Sequence, residues 1–290
     1  MLILSQLING IQLGSIYALV ALGYSMVYGI VKLINFAHGE IIMVGSYCLW
    51  YCISRLGVSP VLAIAITVVL CSLLGVLIEK VAYKPLRKSA RISLLITAIG
   101  ISLLLQNTMQ LLFSANPRMF TNIFPGSVTV GGLTVSITAL VTIGVSIVMM
   151  VGLHFLVNKT KMGTAMRAVS EDTETAQLMG VNVNNTISFT FAVGSALAAV
   201  AAVLYCNSYA QIVPTMGSML GLKAFVAAVL GGIGSIPGAV IGGFTIGVAE
   251  TLTKGYISSN LADAVVFGIL ILVLLIKPTG LMGRRIAEKV

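Results

Sequence analysis

Apolar residues fall into nine runs separated by short polar stretches. A bilayer-crossing helix needs about 20 apolar residues. On that measure the runs lie near 6–30, 40–54, 61–79, 92–113, 133–157, 186–205, 218–232, 237–253 and 262–277. The second and seventh are short, and glycines or prolines mark their entries, so they are expected to be half-buried or re-entrant. Small residues recur at every fourth position: Gly10, Gly14 and Ala18; Gly194, Ala198 and Ala202; Gly238 and Gly242. That spacing lets helix backbones pack closely in lipid. The pattern predicts an all-α polytopic membrane protein, with residues 1–290 forming one integral domain.

The interruptions carry a second pattern. "INFAHGE" (Ile34–Glu40) follows one long run and opens a short one. "VPTMGSMLGLKAF" (Val213–Phe225) has the same setting, and it aligns Gly39 with Gly217 and Glu40 with Ser218. The two breaks fall at opposite faces, so the halves, about 6–113 and 186–277, form an inverted repeat joined by the span 133–157. Broken helices near such a repeat axis point to a substrate path in transporters. Irregular backbone at membrane depth needs partners for its N–H and C=O groups. Asn35 and His38 are expected to cap them, Gly39 to admit a close helix, and Glu40 to sit where a helix dipole favours a negative charge. With Phe36, Pro214 and Gly217, these are the hinge and path candidates. An ionisable group at this depth is a functional candidate by default.

Composition supports the membrane reading. The 290 residues are 58% hydrophobic and 9% charged, against about 25% charged in soluble domains. A net charge of +9 invites a nucleic-acid reading, but the basic residues sit in short loops between apolar runs, which is the pattern of membrane orientation. Placing 80–91, 158–185 and the tail Arg284–Val290 on the cytoplasmic side also puts Lys32 and Lys277 there, making 13 of the 17 basic residues. The N-terminus is then outside and the C-terminus inside. Nine spans satisfy every loop, whereas eight misplace a basic one. The first run has no Lys or Arg before Lys32, so it is expected to be a retained span and not a cleaved signal. The four cysteines, Cys48, Cys52, Cys71 and Cys206, lie in or beside apolar runs and are expected to be reduced. In the outward loop 114–132 and just beyond it, alternation around Gly131–Gly132 predicts a two-residue β-hairpin. The inward loop 158–185 is polar enough for short helices on the membrane surface.

Other charges have plainer readings. Lys223 stands about 9 Å along its helix from Gly217; it either snorkels outward or lines the path. Glu250 and Lys254 are four apart and can pair, and Asp263 opens the last helix. There is no phosphate-binding G-x-x-x-x-G-K, no G-x-S-x-G and no Cys/His cluster with zinc spacing, so a nucleotide site, a serine hydrolase and a metal site on this chain are not expected.

"NGIQLGSIYALVALGYSMVYGIVKLINFAHGEIIMVGSY", "VAYKP", "LLQN", "MGTAMRAVSEDTETAQLMGVN" and "AAVLGGIGSIPGAVIGG" together resemble the permease subunit of bacterial branched-chain amino acid ABC importers. The likeness runs from about residue 5 to 290. Urea and short-chain amide permeases share the "INFAHGE" and "GGIGSIPGA" blocks. The resemblance implies a type II-like ABC permease in a bacterial inner membrane. Its expected partners are a second, related permease chain, two ATPase subunits that carry the ATP and Mg, and an extracytoplasmic solute-binding protein. No cofactor is expected on this chain, and no nucleic acid. Within the inward loop, "ETAQLMG" resembles the E-A-A-x-x-x-G segment that ABC permeases dock into the ATPase, with Thr175 in place of the first alanine. That makes Glu171, Asp172, Glu174, Ala176 and Gly180 the coupling candidates. A passive small-solute channel is the rival class, and it has no need of such a dock.

Overall fold

The structure, a computed structural model, describes residues 2–32, 34–87, 89–130 and 133–283. The first half contains α1 (Leu2–Val31), α2 (His38–Ser54) and α3 (Pro60–Ile78), which runs through a π turn (Glu79–Tyr83) into the single turn α4 (Lys84–Leu86). It closes with α5 (Arg91–Phe113). Short strands β1 (Arg118–Met119), β2 (Ser127–Val130) and β3 (Leu133–Ser136) lead into α6 (Ile137–Lys159). Next come α7 (Lys161–Glu171) and α8 (Thr173–Leu178). The second half is α9 (Val183–Ser208), β4 (Gln211–Ile212), α10 (Met216–Gly231), α11 (Ile236–Tyr256) and α12 (Ala262–Ile276).

Each of the nine apolar runs contains a helix; the fifth, expected over 133–157, opens with strand β3, and its helix α6 starts only at Ile137. Among the described residues, seven helical stretches are long and apolar enough to cross a membrane. The exceptions are the two expected short ones, α2 with 17 residues and α10 with 16. At 1.5 Å per residue these reach about 24–26 Å, less than the hydrocarbon thickness of about 30 Å. Both therefore begin inside the bundle.

Helix α1 is the centre of the fold, with residues Ile16 to Leu22 wholly buried. It packs along α11 so closely that a Cβ on Gly247 would stand 2.2 Å from the Gly14 nitrogen, and one on Gly243 2.5 Å from Ala18 Cα. The α1 stripe Gly10, Gly14 and Ala18 thus meets glycines 243 and 247. The stripe expected on α11, Gly238 and Gly242, faces α10 instead: Cβ atoms there would lie 2.3 and 2.0 Å from the Gly231 and Ala227 carbonyl oxygens. By contrast α5 and α12 lie at the periphery, each with only 11% of its apolar stretch buried.

The bundle has two unlike ends. One carries the β2–β3 hairpin, in which Val130 pairs with Leu133 as the alternation predicts; residues 131–132 between them lie outside the described residues. There β1 also pairs antiparallel with β4, a link the sequence reading lacks. It ties the loop after α5 to the break before α10. Arg118 and Arg55 stack over the Trp50 ring, 5.4 and 5.7 Å from its centroid. The other end carries α7 and α8. The chain after α12 tucks back there, Leu281 and Met282 donating to the Leu230 and Gly231 carbonyls at 2.8 and 2.9 Å. The charges expected at Lys88, Arg284, Arg285 and Lys289 lie outside the described residues. All four cysteines are free.

Candidate functional site

The first break begins where α1 stops, at Lys32 with a positive φ of 53°. The chain then doubles back. A Cβ on Gly23 would stand 2.3 Å from His38 Nε2, which places His38 two turns, about 12 Å, above the end of α1. Asn35 holds this re-entry together. Its Oδ1 accepts from the Ala37 N–H at 3.1 Å and from the Tyr83 hydroxyl at 2.8 Å. Asn35 is therefore a cap, as expected. His38 is not: its ring stands edge-on to Tyr24 with centroids 4.8 Å apart, and its Nε2 is buried without a hydrogen-bond partner. Phe36 packs on Phe225, 5.8 Å between centroids.

The second break is built differently. Pro214 is buried and the Met216 N–H reaches the Val213 carbonyl at 3.1 Å. No side chain caps α10.

The two short helices cross at their first turns. A Cβ on Gly39 would lie 2.3 Å from the Gly217 carbonyl oxygen, and one on Gly217 would lie 2.6 Å from the Gly39 carbonyl oxygen. The residues that the repeat aligns are thus the ones that touch. Their neighbours touch as well: the Ser218 hydroxyl donates to Glu40 Oε1 at 2.8 Å. Ser102 of α5 donates to the same oxygen at 3.1 Å. Glu40 is fully buried, and its Oε2 lies against the open side of Gly217 with no hydrogen-bond partner. It sits in the first turn of α2, where the dipole favours it, but it caps through hydroxyls of neighbouring helices and not through backbone N–H groups.

Lys223 departs from the first of its two readings. It is 8% exposed and does not snorkel. Its Nζ pairs with Glu250 Oε1 at 2.8 Å and Asp263 Oδ1 at 2.6 Å. The anticipated Glu250–Lys254 pair is present at 2.6 Å, and Tyr17 donates to Glu250 Oε2 at 2.7 Å. Two cations and two carboxylates thereby bind α10, α11 and α12 to α1 near the hairpin end. An ionisable group at this depth faces the bundle interior and pairs there, as Lys223 does with Glu250 and Asp263.

The region 158–185 folds as short helices, as expected: α7 and α8. On α7, Gly163, Met166 and Val169 are buried, giving one apolar face against the bundle. Asp172 caps α8, accepting from the Glu174 and Thr175 N–H groups at 2.9 and 3.0 Å. Glu171, Asp172 and Glu174 are exposed, as a docking surface requires. Ala176 is not: it is 4% exposed and packs into the bundle's own core. Gly180 has no neighbour that a Cβ would meet, and its φ is +85°. It ends α8 in a Schellman motif, Gly180 N–H to Gln177 O and Val181 N–H to Ala176 O, both 3.0 Å. Both residues are small for this chain's own sake. The exposed apolar tip is Leu178 and Met179, 88% and 79% exposed, which the sequence reading missed.

Also missed is a buried carboxylate at the same end. Glu79 opens the π turn with no exposure, ion-pairs with Arg87 and accepts from Ser188 at 2.6 Å. Arg87 also reaches Asn184 at 2.8 Å. An acid closing the apolar run 61–79 was a usable signal. Among the described residues no group of His, Cys, Asp or Glu could hold a metal ion.

Comparison with known proteins places this architecture. The permease subunit BraD of the high-affinity branched-chain amino acid transport system of Pseudomonas aeruginosa is 44% identical, covering 99% of this chain and 98% of its own. LivH of Escherichia coli K12 is 45% identical over 99% of this chain and 97% of its own. LivH of Methanocaldococcus jannaschii, described as a probable branched-chain amino acid permease, is 32% identical over 93% and 89%. Among solved structures, PsaBC from Streptococcus pneumoniae in complex with Fab shares the fold, with TM-score 0.50 at 15% identity and coverage of 93% and 91%. A family model described as "Branched-chain amino acid transport system / permease component" matches residues 6–275. With nearly its whole length matched, the chain belongs to the branched-chain amino acid transport system permease family.

Proposed function

We propose that this chain is a membrane subunit of an ATP-driven importer that carries leucine, isoleucine and valine into the cell. The observation that carries the reading is the 44% identity to BraD across 99% of the chain. The geometry supports it: two half-helices meet at Gly39 and Gly217 inside the bundle, beside a buried carboxylate. Such crossings occur where transporters place their substrate path. The hinge and path residues are Asn35, Phe36, His38, Gly39, Glu40, Pro214 and Gly217; Lys223 acts by holding α10 in place. A second permease chain completes the path, and an extracytoplasmic binding protein delivers the cargo at the hairpin end. The α7–α8 end faces the cytoplasm of an inner-membrane protein, where the Leu178–Met179 tip and the acidic rim of Glu171, Asp172 and Glu174 dock an ATPase. ATP and Mg belong to the two ATPase subunits.

The test is uptake by the assembled complex in liposomes, with ATP inside and binding protein outside. ATP-dependent accumulation of leucine, isoleucine and valine is expected. Uptake of urea or acetamide in their place would overturn the substrate, and uptake without ATP would overturn the class. In the same system Leu178→Asp should weaken ATPase association at least tenfold while the permease still inserts.

A further inference from the structure

Glu40 is wholly buried, yet a single side chain separates it from an open face. Ser218, whose hydroxyl donates to Glu40 Oε1 at 2.8 Å, is itself exposed. The Gln106 side-chain nitrogen stands 3.5 Å from that hydroxyl. Around them Leu103, Met219 and Leu222 are 52%, 44% and 37% exposed. Ser102, the other donor to Glu40, lies at the middle of the 23-residue α5, so this face is at mid-membrane depth. Polar groups at that depth face a bundle interior or a water-filled cavity, not lipid.

The charge arrangement is specific. Glu40 sits in the first turn of α2, and Ser218 in the first turn of α10. Two helix N-termini, each equivalent to about +0.5 charge, therefore flank one carboxylate. The sum is near zero with the charges held apart. A plain cation gains little from such a site. A zwitterion, neutral overall, can turn its ammonium toward the carboxylate while its own carboxylate stays on the open side. Buried polar atoms in native proteins are nearly always paired, and a carboxylate serving only as an anchor would have both oxygens bonded. Glu40 Oε2 has no hydrogen-bond partner.

From this geometry we propose that Glu40, Ser218 and Gln106 form a transient subsite for the α-ammonium group of a zwitterionic amino acid crossing the membrane. An ammonium is a donor only; the Ser218 hydroxyl and the Gln106 side chain stand at the open face to receive it, and the buried Glu40 carboxylate directly behind Ser218 supplies the opposite charge. Leu103, Met219 and Leu222 receive an apolar side chain beside it. This assignment rests on the transport reading above. A site on a path must hold its cargo weakly enough to release it, and one carboxylate shared with two serines does so.

The first test needs no transport. Ser218→Cys preserves size and exposure and puts a thiol beside Glu40. In the assembled complex, modification by aminoethyl methanethiosulfonate is compared with that by neutral methyl methanethiosulfonate. Each rate is normalised to a free thiol, and the parent protein, whose cysteines are half-buried or buried, sets the background. The ammonium reagent should react at least fivefold faster, and leucine should slow it. Equal rates would overturn the subsite, and so would no reaction with either reagent, because the face would then be closed. The second test counts leucine taken up per ATP hydrolysed. Glu40→Gln should lower that ratio about tenfold, and Glu40→Asp should recover most of it. An unchanged ratio in Glu40→Gln overturns the proposal. Absence of branched-chain amino acid uptake in the parent complex would defeat the transport reading instead, leaving the thiol result to judge the subsite.

Discussion

Gly39→Ala is the most direct perturbation of the helix crossing. The added methyl would stand 2.3 Å from the Gly217 carbonyl oxygen and 3.0 Å from Gly221 Cα. Ordinary van der Waals contact begins near 3.4 Å, so the helices must part by about 1.1 Å. Neither obstacle is a flexible side-chain end; both are backbone of α10, fixed by its own hydrogen bonds. Overpacking of this kind costs about 1–3 kcal/mol, and a shift of 1 Å also stretches the Ser218–Glu40 hydrogen bond, worth about 1.5–3 kcal/mol because one partner is a carboxylate. Against these, alanine in a helix gains up to about 1 kcal/mol over glycine. The net loss is about 2 kcal/mol or more, which lowers a melting temperature by roughly 4–8 °C at this size. Gly100→Ala is the control. It lies within α5 with nothing inside 4 Å of its Cβ, so it should be neutral or slightly stabilising. Thermal unfolding of both variants in the same detergent compares them directly. Equal melting temperatures for Gly39→Ala and Gly100→Ala would refute the close crossing.

Two further outcomes follow from the corrected sites. Glu250→Leu leaves Lys223 with only the half-exposed Asp263, and should cost about 3–5 kcal/mol; Lys223→Met leaves Glu250 with Lys254 and Tyr17 and should cost clearly less, an order that chemical unfolding in detergent reads and whose reversal would sink the network reading. Gly180→Asn should leave α8 nearly intact because Asn tolerates positive φ, whereas Gly180→Val should destabilise it by about 1–2 kcal/mol, seen as faster amide exchange at Val181; equal exchange in the two variants would remove the backbone reason for this glycine.

Helices were legible wherever apolar length alone decides them, and so was the shortness of α2 and α10. A close approach at Gly39 was legible too, because a glycine at a helix entry leaves room for another backbone; that the neighbour is Gly217 was not. What failed did so for one physical reason: partner choice depends on three dimensions. Lys223 read as a snorkelling or path residue because its acids stand 27 and 40 positions away, as Glu250 and Asp263. Ala176 and Gly180 looked small for a partner's sake, since a linear string does not distinguish a residue facing a neighbour from one facing its own bundle or one with φ +85°. Glu79 read as the last residue of an apolar run, and only the π turn brings it under Arg87 and Ser188.

The two breaks meet the same demand in different ways. Each must re-enter the bundle and satisfy backbone groups that no helix serves. The first does so with side chains: Asn35 bonds the Ala37 N–H and the Tyr83 hydroxyl. The second does so with backbone, because β4 pairs with β1 and needs no particular side chain. Symmetry demands identity only where the halves touch, and there glycine meets glycine. One residue further on the demand is complementarity. Glu40 needs a donor across the axis and Ser218 is one; a second glutamate there would set two carboxylates against each other in a low-dielectric interior. The axis therefore keeps Gly39 with Gly217 and opposes Glu40 with Ser218, and the surrounding residues are free to differ.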